Sequence, residues 1–344
     1  MAIVTSSRRP VLRTGSQPTG GRWQEAMRDA VRDADELCGL LELPESVAEE
    51  ARLAGGSFPL FVPRGYIARM RVGDLHDPLL RQVLPLGAER IERPGDVADP
   101  VGDLQAAVGP ALIQKYQGRI LVVATGACAV HCRYCFRRLY PYSGAAHTLS
   151  DVDRLLKPVA ADTGLHEVIL SGGDPLTLSD EILARLVRSL ASIGHVRRLR
   201  IHTRLPIMIP QRVTDAMLDW LGGTRLIPVV VLHANHAAEL DAEVAVAVAR
   251  LTDAGAMVLN QAVLLRGVND QIDALAALCE RLIEIRVTPY YLHQLDRVRG
   301  ASHFEVPVRQ GLALIASLRA RLPGYAVPRY VREIPGRDCK GVLA

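Results

Sequence analysis

From residue 120 onward, the chain alternates between short apolar runs and amphipathic stretches with helical spacing. One such stretch, 180–193, has a continuous apolar face, with Ser179 placed as its N-cap and Gly194 at its end. The six apolar runs are 120–124, 167–170, 198–201, 226–232, 257–265 and 287–292. Strands that alternate with helices pair in parallel, because each crossover helix returns the chain to the same end of the sheet. We therefore predict an α/β fold, a partial (β/α)6 barrel that six strands leave open on one side.

The first third of the chain lacks this alternation. Apolar residues recur at helical spacing from Trp23 to Leu41, which predicts one amphipathic helix over residues 23–43. Residues 57–110 are rich in Pro and Gly, which is typical of short helices and loops. We predict a disordered tail over residues 1–22, a helical N-terminal lobe over 23–110 and the barrel over 111–344.

Polar residues follow the predicted strands. In a parallel barrel the carboxyl ends of all strands open on one face, and side chains placed there converge on one site. The polar segments are the cysteine-rich loop after the first run, Ser171-Gly172-Gly173-Asp174 after the second, His202-Thr203-Arg204 after the third, His233-Ala234-Asn235-His236 after the fourth and His293-Gln294-Leu295-Asp296 after the sixth, with Gln261 late in the fifth. We therefore expect the active face at this end of the barrel.

Three of the six cysteines, Cys128, Cys132 and Cys135, have the spacing C-x3-C-x2-C. Three thiolates can hold three irons of a 4Fe-4S cluster and leave the fourth iron without a protein ligand. A structural zinc ion takes four ligands, and no second Cys-x-x-Cys or His-x-x-x-His follows. The spacing thus favours a cluster over a zinc site or buried structural thiols. Clustered cysteines also indicate a reducing compartment, so we expect a cytoplasmic protein.

Charge and hydropathy exclude two classes of partner. The net charge is +4, small for 344 residues, and the arginines are dispersed along the chain. A nucleic-acid partner would call for a basic stripe. No apolar run approaches the ~20 residues that span a bilayer. We therefore expect neither nucleic acid nor a membrane as partner.

The cysteine motif, placed directly after a predicted strand, resembles the signature of the radical S-adenosylmethionine (SAM) superfamily. That resemblance implies that SAM binds the open iron and is cleaved to a 5'-deoxyadenosyl radical, with an electron from a donor such as flavodoxin or ferredoxin. It further implies that Gly172, Gly173 and Asp174 hold the amino group of SAM, with His233 and Gln261 as SAM contacts at later strand ends. Taken alone, a Gly-Gly-Asp-Pro sequence is also ordinary turn chemistry, and a strand-end histidine is often structural.

Six further segments extend the resemblance. They are DPLLRQVLP (77–85), KYQGR (115–119), CFRR (135–138), NQAVLLRGVND (260–270), YYLHQLD (290–296) and REIPG (332–336). Together they resemble the lysine 2,3-aminomutase family over roughly residues 23–344. The similarity is greatest to the short-tailed branch that supplies β-lysine for modifying translation elongation factor P.

This resemblance implies a second cofactor, pyridoxal 5'-phosphate (PLP), attached to a lysine just after the last barrel strand. Lys340 occupies that place. The resemblance also places Arg119 near the PLP phosphate and Arg137 at the substrate carboxylate, which a planar guanidinium suits. The segment before Lys340 departs from the family pattern, because Arg337-Asp338-Cys339 replaces a glycine-rich loop.

Two acidic residues, Asp296 and Glu333, match the family positions that bind the distal ammonium of lysine. Two carboxylates at one place select a cationic side chain. The alternative is that both are surface charges, paired for instance with Arg297 or Arg332.

The implied enzyme is an isomerase, an intramolecular aminotransferase that converts L-lysine to (R)-β-lysine, with a pathway link to the ligase that acts on elongation factor P. Two alternatives remain open. One is a radical SAM enzyme of another chemistry, either an aminomutase for another amino acid or a methyltransferase. The other is a non-catalytic iron-sulfur or zinc protein. The sequence separates lysine from neither ornithine nor arginine, and it leaves the oligomeric state open, a homodimer included.

Overall fold

The computed structural model describes residues 23–56, 58–142 and 149–344. The tail predicted over residues 1–22 lies outside the described residues. The N-terminal lobe contains α1 (Trp23–Arg28), α2 (Ala34–Leu40), α3 (Glu45–Gly55) and α4 (Arg64–Ile67), followed by short 3-10 turns at Leu80–Gln82 and Gly87–Arg90. Within the described ranges, none of the helices has both the length and the apolar character needed to cross a membrane.

The single helix predicted over residues 23–43 is wrong, because the structure divides this segment into α1 and α2. Between the two helices, Val31 forms an isolated bridge with Val62, and its backbone N–H donates to the Val62 carbonyl at 2.8 Å. The Asp33 side chain then accepts a hydrogen bond from the backbone N–H of Glu36 at 2.9 Å and caps α2. The apolar spacing continues across the break, which explains why it indicated one helix.

In the part of the chain that the structure describes, ten strands form one sheet in chain order. The strands are β1 (Ala107–Gly109), β2 (Leu112–Ile113), β3 (Arg119–Thr125), β4 (Glu167–Gly172), β5 (Arg198–Thr203), β6 (Ile227–Leu232), β7 (Met257–Val263), β8 (Thr288–His293), β9 (Arg329–Arg332) and β10 (Gly341–Val342). All neighbours from β3 to β9 pair in parallel, whereas β1, β2 and β10 pair antiparallel at the two edges.

Helices connect the parallel strands. They are α5 (Leu149–Ala161), α6 (Asp180–Ser192), α7 (Leu205–Met208), α8 (Asp215–Gly222), α9 (Ala242–Asp253), α10 (Ile272–Glu284) and α11 (Val308–Arg321). The prediction of a partial barrel is confirmed, and the six predicted strands correspond to β3–β8. The structure adds a seventh parallel strand, β9, which was not predicted. Ser179 caps α6 as expected, accepting from the backbone N–H of Ile182 at 3.4 Å.

One hydrophobic core runs through lobe and barrel, and it includes Leu37 and Tyr66 of the lobe together with Leu170 and Val230 of the barrel strands. The lobe is therefore packed onto the barrel. The domain boundary near residue 110 stays a prediction. Because β3–β9 are parallel, their carboxyl ends lie at one edge of the sheet, where the pairing brings Thr125 beside Gly172.

Candidate active site

The loop with the three clustered cysteines begins where β3 ends. Its first turn is closed by a hydrogen bond from the Ala127 N–H to the Thr125 hydroxyl (3.1 Å), and a later turn by one from the Cys135 N–H to the Cys132 carbonyl (3.0 Å). Burial, and then the neighbouring thiols, raise the pKa of Cys128 well above its usual value and that of Cys135 to about 11. Cys135 and Cys132 contribute to the raised pKa of Cys128, and Cys132 contributes to that of Cys135, so the three thiols lie near one another. Metal binding at Cys128 and Cys135 therefore releases their protons.

The chemistry of the three thiols fits an iron-sulfur cluster. Among the described residues, no three His, Cys, Asp or Glu side chains converge as a site for a single metal ion. A 4Fe-4S cube differs from a single ion because each cysteine binds a separate iron. The three thiols therefore fit a cluster, in which each binds its own iron, better than a site for a single ion.

A buried carboxylate anchors the loop to the N-terminal lobe. Glu89 accepts two hydrogen bonds from Arg133, at 2.7 and 2.6 Å, and one from Arg138 at 2.7 Å. The Arg133 side chain is fully buried, and that of Glu89 is 2% exposed. These two arginines flank Cys135 in the sequence, so Glu89 fixes the loop on both sides of one predicted ligand.

Gly172 and Gly173 permit the loop after β4 to lie directly on the cysteine loop. Gly172 has a φ of +108°, and a Cβ on Gly173 would overlap the Ala127 carbonyl oxygen. The Gly173 N–H donates to Thr125 O, and the Asp174 N–H to Ala127 O, both at 2.7 Å. This contact places the backbone predicted to bind SAM against the predicted cluster.

The Asp174 side chain is occupied by hydrogen bonds within the protein. Its carboxylate accepts from the Thr203 hydroxyl and from the backbone N–H of Arg204, both at 2.7 Å, and also from the backbone N–H groups of Leu176 and Leu205. Asp174 therefore joins the strand ends of β4 and β5. If the Gly172–Asp174 loop binds SAM, as predicted, it does so through its backbone, because the Asp174 carboxylate is already occupied.

The other two predicted SAM contacts lie together. The Gln261 side-chain nitrogen is 2.9 Å from His233 Nε2, and 3.5 Å from His202 Nδ1. Burial, and then Arg204 and Arg137, lower the pKa of His233 to about 3, so its ring is neutral at physiological pH. The sequence predicted that His202 lies at the carboxyl ends of the strands, but it predicted no role for this residue.

Four buried histidine nitrogens have no hydrogen-bond partner in the described part of the chain. Two of them belong to His303, and the other two are Nε2 of His202 in β5 and Nε2 of His293 at the end of β8. Burial lowers the pKa of His202 and that of His293 well below the usual value. His233, Arg200 and then Lys340 lower that of His202 further, and Lys340 lowers that of His293 further. Buried polar atoms are rarely left unpaired. Unpaired nitrogens of His202 and His293, in two of the parallel strands, fit a polar ligand bound on this face of the sheet.

Arg137, predicted to bind the substrate carboxylate, is buried and already paired. Its Nε donates to Asp103 at 2.7 Å, and its Nη1 donates to the Ser171 hydroxyl at 3.1 Å. Lys115 binds the other Asp103 oxygen at 2.6 Å. Burial raises the pKa of Asp103, but Arg137 and Lys115 outweigh burial, and the net pKa is lowered. Two cations fixed around one carboxylate leave Arg137 Nη2 as the nitrogen not used by these contacts.

Lys340 and Glu333 lie together after β9. The Lys340 ammonium donates to one Glu333 oxygen, and the Tyr116 hydroxyl donates to the other at 2.6 Å. Lys115 lies 3.8 Å from the same carboxylate. Burial raises the pKa of Glu333, but Lys340 and Tyr116 outweigh it and the net pKa is lowered. Glu333 is therefore an ionised, buried carboxylate.

Asp296 follows β8 and faces the same cluster of charges. Burial raises its pKa to about 7, an effect that Lys340 opposes and Glu333 reinforces. Its side chain makes no hydrogen bond or ion pair with a residue that the structure describes. The alternative of a surface pair with Arg297 is not what the structure has, because Arg297 binds Glu305 at 2.7 Å. Asp296 is thus a carboxyl group without an ion-pair partner among the described residues, and a cation brought to it would favour its ionised form.

Arg119 lies at the amino end of β3, whereas the cysteine loop follows its carboxyl end. Its guanidinium stacks on the Tyr116 ring, with the Arg119 carbon Cζ 4.6 Å from the ring centre, and it makes no ion pair with any described residue. Tyr116 in turn binds Glu333. An unpaired guanidinium near this cluster fits a phosphate, so its assignment to PLP stays a prediction consistent with its surroundings.

The structure thus brings Lys340, Glu333 and Asp296 into one charged cluster, and the Lys115–Asp103 pair connects that cluster to Arg137. Sequence reasoning gave no role to three residues here. They are Asp103, Lys115 and Tyr116. Lys115 and Tyr116 lie in the KYQGR segment, which contributed to the family resemblance but did not predict that they would contact Asp103 and Glu333. Asp103 had no signal in the sequence.

Comparisons with known proteins show what this chain is similar to. Residues 122–279 match the family described as the radical SAM superfamily. The chain is 44% identical over 334 residues to the L-lysine 2,3-aminomutase of Escherichia coli (strain K12), covering 96% of each protein. It is 40% identical over 322 residues to the L-lysine 2,3-aminomutase of Haemophilus influenzae, covering 94% of this chain and 95% of that protein. Among solved structures, a radical SAM methyltransferase from Sphaerobacter thermophilus has a TM-score of 0.47 and 22% identity, covering 64% of this chain and 68% of that one.

Proposed function

Because this chain belongs to the lysine 2,3-aminomutase family of radical SAM enzymes, we propose that it moves the α-amino group of L-lysine to the β-carbon and produces (R)-β-lysine. A β-hydrogen moves to the α-carbon in exchange, so the atoms of substrate and product balance. Family membership favours this isomerase over the non-catalytic iron-sulfur or zinc protein. The names of the two aminomutase relatives support lysine as the substrate.

One observation carries the proposal. Asp296 and Glu333 face the same space as Lys340, and Asp296 has no cationic partner there among the described residues. A buried charge without a partner is costly, by about 3 to 5 kcal/mol when a pair is broken. An amino acid with a cationic side chain would bring the missing ammonium. A substrate with a neutral or acidic side chain would bring no cation to Asp296.

Three cofactors fit the residues present. Cys128, Cys132 and Cys135 would hold the cluster, and the Gly172–Gly173 backbone lies against their loop to receive SAM. For PLP, the unpaired Nε2 atoms of His202 and His293 offer polar contacts, and both rings feel the charge of the attachment lysine, Lys340. When bound, cluster and SAM supply the radical that removes hydrogen, and PLP supplies the group that carries the migrating nitrogen.

The chain's own residues would orient the substrate at both ends. Arg137, held rigid by Asp103 and Ser171, would bind the carboxylate through its remaining nitrogen. Glu333 and Asp296 would bind the distal ammonium. Glu333 is 7% exposed, so water is largely excluded and its attraction for a cation is stronger than at the surface. Distance between the two ends would then rank lysine against ornithine and arginine.

We further propose a cytoplasmic location, since all six cysteines are unpaired thiols. There, a flavodoxin or ferredoxin would reduce the cluster. The β-lysine would pass to the ligase that modifies elongation factor P, as the resemblance to the short-tailed branch suggests.

The decisive experiment follows the nitrogen. Anaerobically reconstituted enzyme is supplied with lysine that carries ¹⁵N at the α-amino group and ¹³C at C3. Migration creates a ¹⁵N–¹³C bond that NMR detects as a new one-bond coupling. Ornithine and arginine run in parallel rank the substrates. A protein that cleaves SAM but produces no such coupling from any of the three amino acids contradicts the proposal.

A further inference from the structure

Arg204, at the end of β5, contacts one of the three cluster thiols. Its Nη1 donates to Cys132 Sγ at 2.8 Å. Among the described residues, no other side chain donates a hydrogen bond to Cys128, Cys132 or Cys135. The contact crosses 72 residues of sequence, so it depends on the fold and not on the cysteine motif.

The guanidinium of Arg204 is held in this orientation from its other side. Its Nη2 donates to Glu239 at 2.7 Å and to the Gln82 side-chain oxygen at 2.8 Å. Glu239 is fully buried and is itself fixed by the backbone N–H groups of Asn235 at 2.8 Å and His236 at 3.0 Å. The guanidinium is planar and is fixed through Nη2, so its Nη1 stays directed at the sulfur.

The backbone of Arg204 is fixed as well. Its N–H donates to the Asp174 carboxylate at 2.7 Å. Asp174 lies in the loop that rests on the cysteine loop through its own N–H and the Ala127 carbonyl. The arginine and the loop that carries the thiol it contacts are therefore held by one continuous set of hydrogen bonds.

We propose that Arg204 is a positioning residue that sets the reduction potential of the cluster through its hydrogen bond and positive charge at Cys132. Reduction adds one negative charge to a cluster already bound by three thiolates. Hydrogen bonds to the sulfurs and nearby charge are among the factors that determine the potential of such clusters. A cation at a ligand sulfur stabilises the more negative, reduced form, so it raises the potential. The inference rests on cluster binding and not on the substrate.

The test measures the midpoint potential of the reconstituted cluster without SAM, PLP or lysine, by EPR during redox titration. Arg204→Met should hold iron like the parent and have a more negative midpoint potential. Arg204→Lys keeps the charge but has a single nitrogen, and its shift should be smaller. Arg69→Met is the matched control, because Arg69 is a buried cation that donates to the Glu239 carbonyl at 2.8 Å without touching a thiol. Its potential should stay near that of the parent.

Two outcomes of the redox titration overturn the inference. One is a full cluster in Arg204→Met with the parental potential, and the other is an equal shift in Arg69→Met. If Arg204→Met fails to hold iron, the parent protein decides the question. With ¹⁵N in its arginine guanidinium groups, the reduced parent should show a ¹⁵N coupling to the cluster in pulsed EPR, and Arg204→Lys should lose it. A missing coupling in the parent, or one that persists in Arg204→Lys, refutes the assignment. None of these readouts requires turnover, so they are separable from failure of the aminomutase proposal.

Discussion

The Lys340 ammonium donates a hydrogen bond to the Glu333 carboxylate, so the residue proposed to carry the cofactor is bonded to a residue proposed to bind the substrate. In this arrangement Lys340 supplies the cation that the buried carboxylate requires. Its ammonium occupies the place proposed for the ammonium of the substrate. When Lys340 is engaged elsewhere, Glu333 becomes free to accept another cation.

Reduction with borohydride should fix the cofactor on Lys340. Among the alternatives, Lys115 is bound to Asp103 at 2.6 Å and is already part of an ion pair. Peptide mapping of the PLP-loaded protein should find the pyridoxyl group on the peptide containing Lys340. Lys340→Ala should remove the label, and Lys115→Arg should keep it. A label on Lys115 or Lys157 would show that the C-terminal assignment is wrong.

Asp296→Asn should lower kcat/KM for lysine by several hundredfold. An ammonium that loses a desolvated partner costs about 3 to 5 kcal/mol, which corresponds to a loss of that size or larger. Glu333→Gln should lower kcat/KM in the same direction, because Tyr116 holds one oxygen of that carboxylate and the other is left for the substrate once Lys340 is engaged elsewhere. Steady-state kinetics give the ratios, and iron content and SAM binding should remain parental. Glu305→Gln, which alters a pair with the exposed Arg297, is the control and should stay within a few fold.

The affinity for lysine should depend on pH near neutrality. Burial raises the pKa of Asp296 to about 7. The cationic substrate binds the ionised carboxylate, so protonation below that pKa must weaken binding. KM for lysine should therefore rise as the pH falls, by up to about tenfold per unit once the carboxyl is mostly protonated. Measuring KM across this range in parent and Asp296→Asn provides the check, since the variant should lose this dependence. An identical profile in both proteins would assign the titration to another group.

Alanine substitution of each cysteine should separate two classes. Cys128→Ala, Cys132→Ala and Cys135→Ala should lose iron and sulfide after anaerobic reconstitution. Cys38 and Cys279 are buried in the hydrophobic core, and their alanine variants should retain the cluster, as should that of the exposed Cys339. Iron and sulfide analysis distinguishes the classes, and a full cluster in Cys132→Ala would refute the ligand assignment.

Gly173→Ala should impair cluster assembly. The added Cβ would overlap the Ala127 carbonyl and push the cysteine loop away from β4. Overpacking of this kind typically costs about 1 to 3 kcal/mol, and here it acts directly on the ligands. Gly194→Ala is the control, because a Cβ there would meet no atom within 4 Å. The iron content and the midpoint temperature of thermal unfolding should both fall in Gly173→Ala but not in Gly194→Ala. Equal iron in the two variants would show that the loops can separate without affecting the cluster.

The sequence predicted six of the parallel strands and the edge at which they place their polar residues. It missed β9, whose four residues have only Tyr330 and Val331 buried, too short a pattern for periodicity to register. It also fused α1 and α2, because apolar spacing alone does not reveal a backbone bridge such as that of Val31 and Val62.

The sequence predicted which residues belong to the site better than it predicted which of them contact one another. Lys340, Glu333 and Asp296 were named from the sequence, and the structure places them in one cluster. The pairing of Arg137 with Asp103, 34 residues away, had no local signal. The contact of Arg204 with Cys132 likewise arises from the approach of two strand ends. Such contacts form between residues that are distant in the sequence, so the spacing of residues within a motif does not predict them.

The anchoring of the cysteine loop by Glu89 has a consequence for the order of events during synthesis and maturation. The three cysteines lie within eight residues, yet Glu89 precedes Arg133 by 44 residues, and Arg204 follows Cys132 by 72. Contacts over such separations form only after long stretches of chain have closed on themselves. A nascent chain that has just exposed its cysteines therefore lacks the framework that fixes them. Iron delivered to the folded protein meets a prepared loop, whereas iron delivered to the emerging chain meets three loose thiols.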